Sequence, residues 1–145
     1  MIDDRIALPP PDLGVPIDMN RWTEPFWAAA DREALAIPRC SACGTWRMPP
    51  TPFCPACRSQ AIDWVEISGD GILFSYTIVE RAIMPGTEAS LPYVPAIVAL
   101  PQAGGVRLIT NIVGSEIGRL RIDAPVNLIW YRLASGRRLP QYRLA

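Results

Sequence analysis

Apolar and polar residues alternate with period two through most of the chain after residue 70, while Trp22, Phe26, Ala29 and Ala30 fall at helical spacing ahead of it. Gly69-Asp70-Gly71 is a turn or bulge signal. Beyond it Ile72, Phe74, Tyr76 and Ile78 form one face of a predicted strand and Leu73, Ser75, Thr77 and Val79 the other, with the rings at core positions. A second strand is predicted from about Tyr93 to Leu100, with Pro95 near its start. Gln102-Ala103-Gly104-Gly105 reads as a hairpin turn into a third strand that alternates Val106, Leu108, Thr110 and Ile112. Gly114 to Gly118 breaks the pattern and suits a short helical turn. The fourth strand, Val126 to Leu133, places Val126, Leu128 and Trp130 on one face, and Ser135-Gly136 turns into a last short strand around Leu139 to Arg143.

Ahead of these strands, Trp22 to Leu35 is the one convincing helix. Thr23 is its expected cap, Glu24 suits the positive end of the dipole, Pro25 is tolerated in the first turn, and Ala28-Ala29-Ala30 favours continuation. Trp22, Phe26 and Trp27 exceed what a short helix needs for docking, so they either pack on the body of the protein or present an anchor patch to another protein. Residues 1 to 21 hold Pro9-Pro10-Pro11 and Pro16, a composition that reads as an extended, floppy arm. The pattern as a whole predicts a mainly β protein. Five strands with a break between the third and fourth fit a partly open Greek-key barrel, the OB-fold, and a small sandwich shares the same periodicity.

All four cysteines fall between Cys40 and Cys57, in two Cys-x-x-Cys pairs separated by ten residues. Each pair aims two thiolates at one point, and two pairs complete a tetrahedron, which is what a closed structural zinc site requires. Rubredoxin-type iron uses the same ligand set, and spacing alone does not separate the two metals. Gly44 after the first pair suits a tight knuckle; Arg58 stands at the matching place after the second. A site closed by four cysteines leaves no open coordination position for catalysis.

Composition narrows the chemistry further. The 145 residues include no His and no Lys, and 14 Arg balance 14 acidic residues. The commonest general base is therefore missing, and the thiols are committed to metal. Zero net charge argues against nucleic acid, and no apolar run has the length to cross a bilayer. With no basic, apolar segment at the start and a reduced cysteine site, the expected location is cytoplasmic.

The ordered series Pro25-Phe26-Trp27, Cys40-x-x-Cys43-Gly44, Pro49-Pro50, Cys54-Pro55-x-Cys57, Trp64, Ser68-Gly69-x-Gly71, Ser75-Tyr76-Thr77, Pro92-Tyr93-Val94, Leu139-Pro140 and Tyr142 resembles the DUF35 family. The resemblance implies an N-terminal helix, a rubredoxin-like zinc ribbon and a five-stranded OB-fold barrel. The expected organisation is an arm and helix over 1–35, a ribbon over 36–66 and a barrel over 67–145. The sequence departs from the family at Arg58 and Asp123, where glycine is common, and at Pro101-Gln102-Ala103, in a hairpin that is often acidic.

The resemblance further implies an accessory subunit of an acyl-CoA-processing complex, partnered by a thiolase-like enzyme, an acyltransferase, an aldolase or a hydratase. Such subunits bridge and stabilise the catalytic partner and help shape a path for the CoA thioester. Candidate contacts are Trp22, Phe26 and Trp27 on the helix and Ile83, Met84 and Leu91 in the long loop from Arg81 to Pro92, whose alternative role is to cap the barrel. Copies of the chain pairing through the same surfaces are a further expectation. Arg39, Arg47 and Arg58 cluster around the ribbon in sequence and form a candidate CoA-phosphate face, although scattered Arg is more often a solvated surface. Two other functions compete. One is binding of single-stranded nucleic acid through Phe74, Tyr76 and Trp130; the other is a stand-alone enzyme using Glu66, Glu80 or Asp70.

Overall fold

The computed structural model describes residues 2–145 and contains one α-helix and seven strands. Helix α1 (Glu24–Asp31) leads directly into β1 (Leu35–Cys40), which pairs antiparallel with β2 (Ile62–Ile67). The remaining strands are β3 (Gly71–Tyr76), β4 (Val94–Leu100), β5 (Val106–Ile112), β6 (Pro125–Arg132) and β7 (Arg138–Leu144). They close a barrel in the order β3-β4-β5-β7-β6. Closure depends on a short parallel contact, Ile112 with Tyr142, which the Thr110 hydroxyl extends by donating to the Pro140 carbonyl at 2.8 Å. A five-stranded OB-type barrel is thus present, with the short helical turn before β6 at Ile117–Arg119.

The core is aliphatic. Leu73, Val94, Val98, Leu100 and Ile112 are fully buried, together with Tyr142, whose hydroxyl donates to the Gly69 carbonyl at 2.7 Å. Burial holds the Tyr142 hydroxyl well above its usual pKa, with the nearby Asp70 charge acting in the same direction. That bond ties the last strand to the junction between β2 and β3. Gln102 adds a second tie there, donating to the Ser68 hydroxyl and accepting from the Gly69 amide.

Four expectations need correction. A register shift between Leu73 and Ser75 reverses the alternation of β3, so Leu73 faces the core and Phe74 lies outside, 40% exposed beneath the Arg107 guanidinium. The helix stops at Asp31, because Glu33 takes a positive φ and Ala34 closes the turn on Ala29; Leu35 to Cys40 is a strand despite Pro38. Thr23 makes no side-chain cap. Asn20 organises this entry instead, its Oδ1 accepting from the amides of Trp22 and Thr23. The arm, whose Met1 lies outside the described residues, is docked: Ile6 pairs with Glu116 and Leu8 with Tyr93, and Ala7 is 1% exposed within the core cluster. Ala7 turns inward between an exposed Ile6 and a half-buried Leu8, and the backbone bonds to Ser115, Gly114 and Pro92 supply the pairing that composition alone does not reveal.

Candidate metal centre and apolar groove

The four Sγ atoms of Cys40, Cys43, Cys54 and Cys57 lie within 4.8 Å of one another, with the Cys40–Cys57 and Cys43–Cys54 pairs at 3.6 Å. Metal–sulfur bonds of about 2.3 Å around a tetrahedral ion place sulfurs roughly 3.8 Å apart, so the donor set fits one closed four-thiolate site. Two turns of the same design build it. In the first, the Cys40 amide donates to the Thr45 carbonyl and the Gly44 amide to the Cys40 carbonyl; in the second, Cys54 donates to Ser59 and Arg58 to Cys54, all at 2.8–2.9 Å. Gly44 at φ 80° and Arg58 at φ 64° occupy the same left-handed position, which explains the glycine and makes the arginine the less favourable residue there.

The electrostatics are those of a site prepared for a cation. The Cys43 amide, joined by that of Ala42, holds the Cys40 thiol below its ordinary value against desolvation. The Cys57 amide and then that of Ala56 lower Cys54 to about 6. At Cys57 the Ser59 amide pulls the same way, yet its contact with Cys43, desolvation, and its contacts with Cys40 and Cys54 push the thiol up to about 11. Sulfurs this close repel as thiolates unless a cation sits among them.

The three ribbon arginines do not share one surface. Arg47 is 2% exposed, and its two terminal nitrogens donate to the carbonyls of Thr51 and Ser59 at 3.0 and 3.1 Å. Arg39 is exposed, stacks on Trp46 and donates to the Gly44 carbonyl, while Arg58 is exposed on the second turn. The helix aromatics also separate. Phe26 is buried and packs edge-on against Trp27 at 5.0 Å, and Trp22 is half-buried under Arg21. In the 81–92 loop Ile83 is 83% exposed and Met84 is exposed, whereas Leu91 is half-buried and the Val79–Tyr93 bridge closes the loop base. The carboxylates considered for catalysis are engaged at the surface: Glu66 with Arg32, Glu80 with Arg5, and Asp70 with the Leu128 amide.

One feature not legible from the sequence lies where helix, ribbon and barrel meet. A groove of about 380 Å³ runs between Phe26 and Trp27 of α1, Met48-Pro49-Pro50 of the ribbon, and β5 and β7. At its rim Ile109, in the middle of β5, is 83% exposed. The alternation of β5 marks Ile109 as outward, but only the assembled fold shows a second apolar surface beside it.

Comparison with known proteins agrees with this architecture. Residues 27–63 match the family described as ChsH2, rubredoxin-like zinc ribbon domain, and residues 64–131 match ChsH2, C-terminal OB-fold domain. The chain is 41% identical over 121 residues to a probable enoyl-CoA hydratase alpha subunit of Thermomonospora curvata, covering 83% of this chain and 37% of that protein. It is 33% identical over 116 residues to the 3-oxo-4,17-pregnadiene-20-carboxyl-CoA hydratase alpha subunit of Mycobacterium tuberculosis, covering 80% and 36%. The chain thus spans little more than a third of the length of these curated relatives. Among solved structures it is similar to a chain of the Ltp2-ChsH2(DUF35) aldolase, with TM-score 0.80, 38% identity, and 89% and 98% of the two chains covered. A DUF35 protein of unknown function from Sulfolobus solfataricus shares the fold, with TM-score 0.64 at 19% identity over 88% and 87% of the chains. The chain belongs to the ChsH2 family of DUF35 proteins, with a zinc-ribbon-type metal site and an OB-fold barrel.

Proposed function

We propose that this chain is a non-catalytic accessory subunit of an acyl-CoA-processing complex, and that its partner is a hydratase or aldolase subunit carrying the reacting groups. Its resident metal is zinc, held for structure by Cys40, Cys43, Cys54 and Cys57. The names of its relatives support an acyl-CoA setting: two are hydratase alpha subunits and one belongs to an aldolase assembly. The observation that carries the accessory role is that the thiols and the carboxylates considered for catalysis are engaged while apolar surface is left open. The thiols converge on one closed site, Glu66 and Glu80 are ion-paired, and the chain has no His. Ile109 and the groove beside Trp27 meanwhile offer a contact for a partner or for the apolar part of a CoA thioester.

The test is reconstitution. The purified chain alone leaves a panel of enoyl- and β-hydroxyacyl-CoA esters unchanged, and its addition to the catalytic subunit raises turnover or holds that subunit in solution. Turnover by the chain alone would overturn the proposal. Of the rings considered for nucleic acid, Phe74 is 40% exposed with the Arg107 guanidinium stacked on it, and the Tyr76 hydroxyl donates inward to the Leu120 carbonyl; zero net charge weighs against that reading.

A further inference from the structure

Arg47 is a charged side chain almost wholly removed from water, yet it takes part in no ion pair among the described residues. Its Nε has no hydrogen-bond partner, and its two terminal nitrogens meet only backbone carbonyls, those of Thr51 and Ser59. A buried guanidinium with no anion is strongly unfavourable, so a compensating negative charge is expected nearby. The contacts of the guanidinium lead toward the thiolates of the second cysteine turn. The Ser59 carbonyl that accepts from Arg47 also accepts the Cys54 amide, so one oxygen separates the guanidinium from the backbone of a metal ligand. At the other end, the Arg47 amide donates to the Pro38 carbonyl, on the strand that ends in Cys40. Thr51 and Ser59 bracket the loop carrying Cys54 and Cys57, so the guanidinium holds both sides of that loop.

We propose that Arg47 is the internal counter-cation and positioning residue of the metal centre. This rests on the four-cysteine metal reading above. A divalent ion bound by four thiolates has a formal charge of −2, and a buried +1 charge behind the second turn offsets part of it in a medium where charges interact strongly. In the same place the guanidinium fork fixes the loop that delivers two of the four sulfurs. Arg39 resembles Arg47 in donating to a turn carbonyl, that of Gly44, but it is exposed and its charge is screened by solvent. Of the three ribbon arginines, Arg47 alone is buried behind the cysteine turns.

The experiment compares wild type, Arg47→Lys and Arg47→Met as full chains. Zinc content is measured first, then release of zinc to a chromogenic chelator, then the reduction potential of each chain loaded with iron in place of zinc. Circular dichroism of the loaded proteins checks the barrel. For Arg47→Met we expect zinc release faster by roughly ten-fold or more, the scale on which outer partners of metal ligands act. We also expect an iron potential shifted to more negative values, because loss of a buried cation disfavours the extra electron. Arg47→Lys, which keeps the charge, should recover most of the potential. If Arg47→Met fails to load, the potential of Arg47→Lys decides: a value near wild type supports the proposal, and one well below it does not. Unchanged release and potential in Arg47→Met, or equal losses in both variants, would overturn the counter-cation role while leaving the metal reading intact. A wild-type chain that takes up no metal would overturn both.

Discussion

Gly44 and Arg58 occupy equivalent positions in the two cysteine turns, each donating its amide to the carbonyl of the first cysteine of its pair from a left-handed backbone. A side chain at φ 64° costs on the order of 1 kcal/mol relative to glycine. Arg58→Gly should therefore raise the melting temperature or slow metal release slightly. Gly44→Ala should do the reverse, since its added Cβ would also sit 3.2 Å from the Arg39 guanidinium. Melting curves of the metal-loaded variants read both effects.

Asp123, the other place where a family glycine is replaced, also has a positive φ, 67°. These departures were legible as sequence differences, and their meaning came from the backbone. The cysteine spacing, the five barrel strands and the turn signals were legible too, because each follows from local residue chemistry. The β3 bulge, the docked arm and the burial of Arg47 were not, because they depend on partners far along the chain. A faint signal existed for Arg47: it interrupts the apolar run Trp46-Met48-Pro49-Pro50.

Removing one ligand tests the metal as a source of folding energy. Cys43→Ala should lose near-stoichiometric zinc and unfold the ribbon, because metal binding and ribbon folding are one process in such sites. Zinc analysis with circular dichroism checks this, and a variant matching the parent in both would refute the structural role.

The arm contributes to stability through Ala7, buried between Ser115 and Tyr93 pairings. Ala7→Asp places an unpaired charge in the core cluster and should cost more than about 2 kcal/mol in urea unfolding. A change within error would mean the arm is dispensable.

The Asp12 carboxylate accepts the amide of Ala134 and that of Gly14, which hold its pKa below the usual carboxylate range. Because the folded value is the lower one, this contribution is present above the unfolded pKa of about 3.9 and is lost as pH falls through the folded value. Asp12→Asn should therefore flatten the acid side of the stability profile below about pH 4, measured by melting across pH.

Tyr142→Phe removes the buried donor to the Gly69 carbonyl and should destabilise the chain by roughly 1–3 kcal/mol. Unfolding in urea reads the loss directly.

Isolation from its own cells decides whether the chain serves an acyl-CoA enzyme without being one, as proposed above. Tagged protein would be purified gently, its mass and composition determined, and the isolate assayed with acyl-CoA esters. A stoichiometric complex with a hydratase or aldolase subunit is expected, broken by Ile109→Glu in a variant that still folds. A chain recovered alone that turns over an acyl-CoA, or one whose companion is nucleic acid removed by salt, would contradict it.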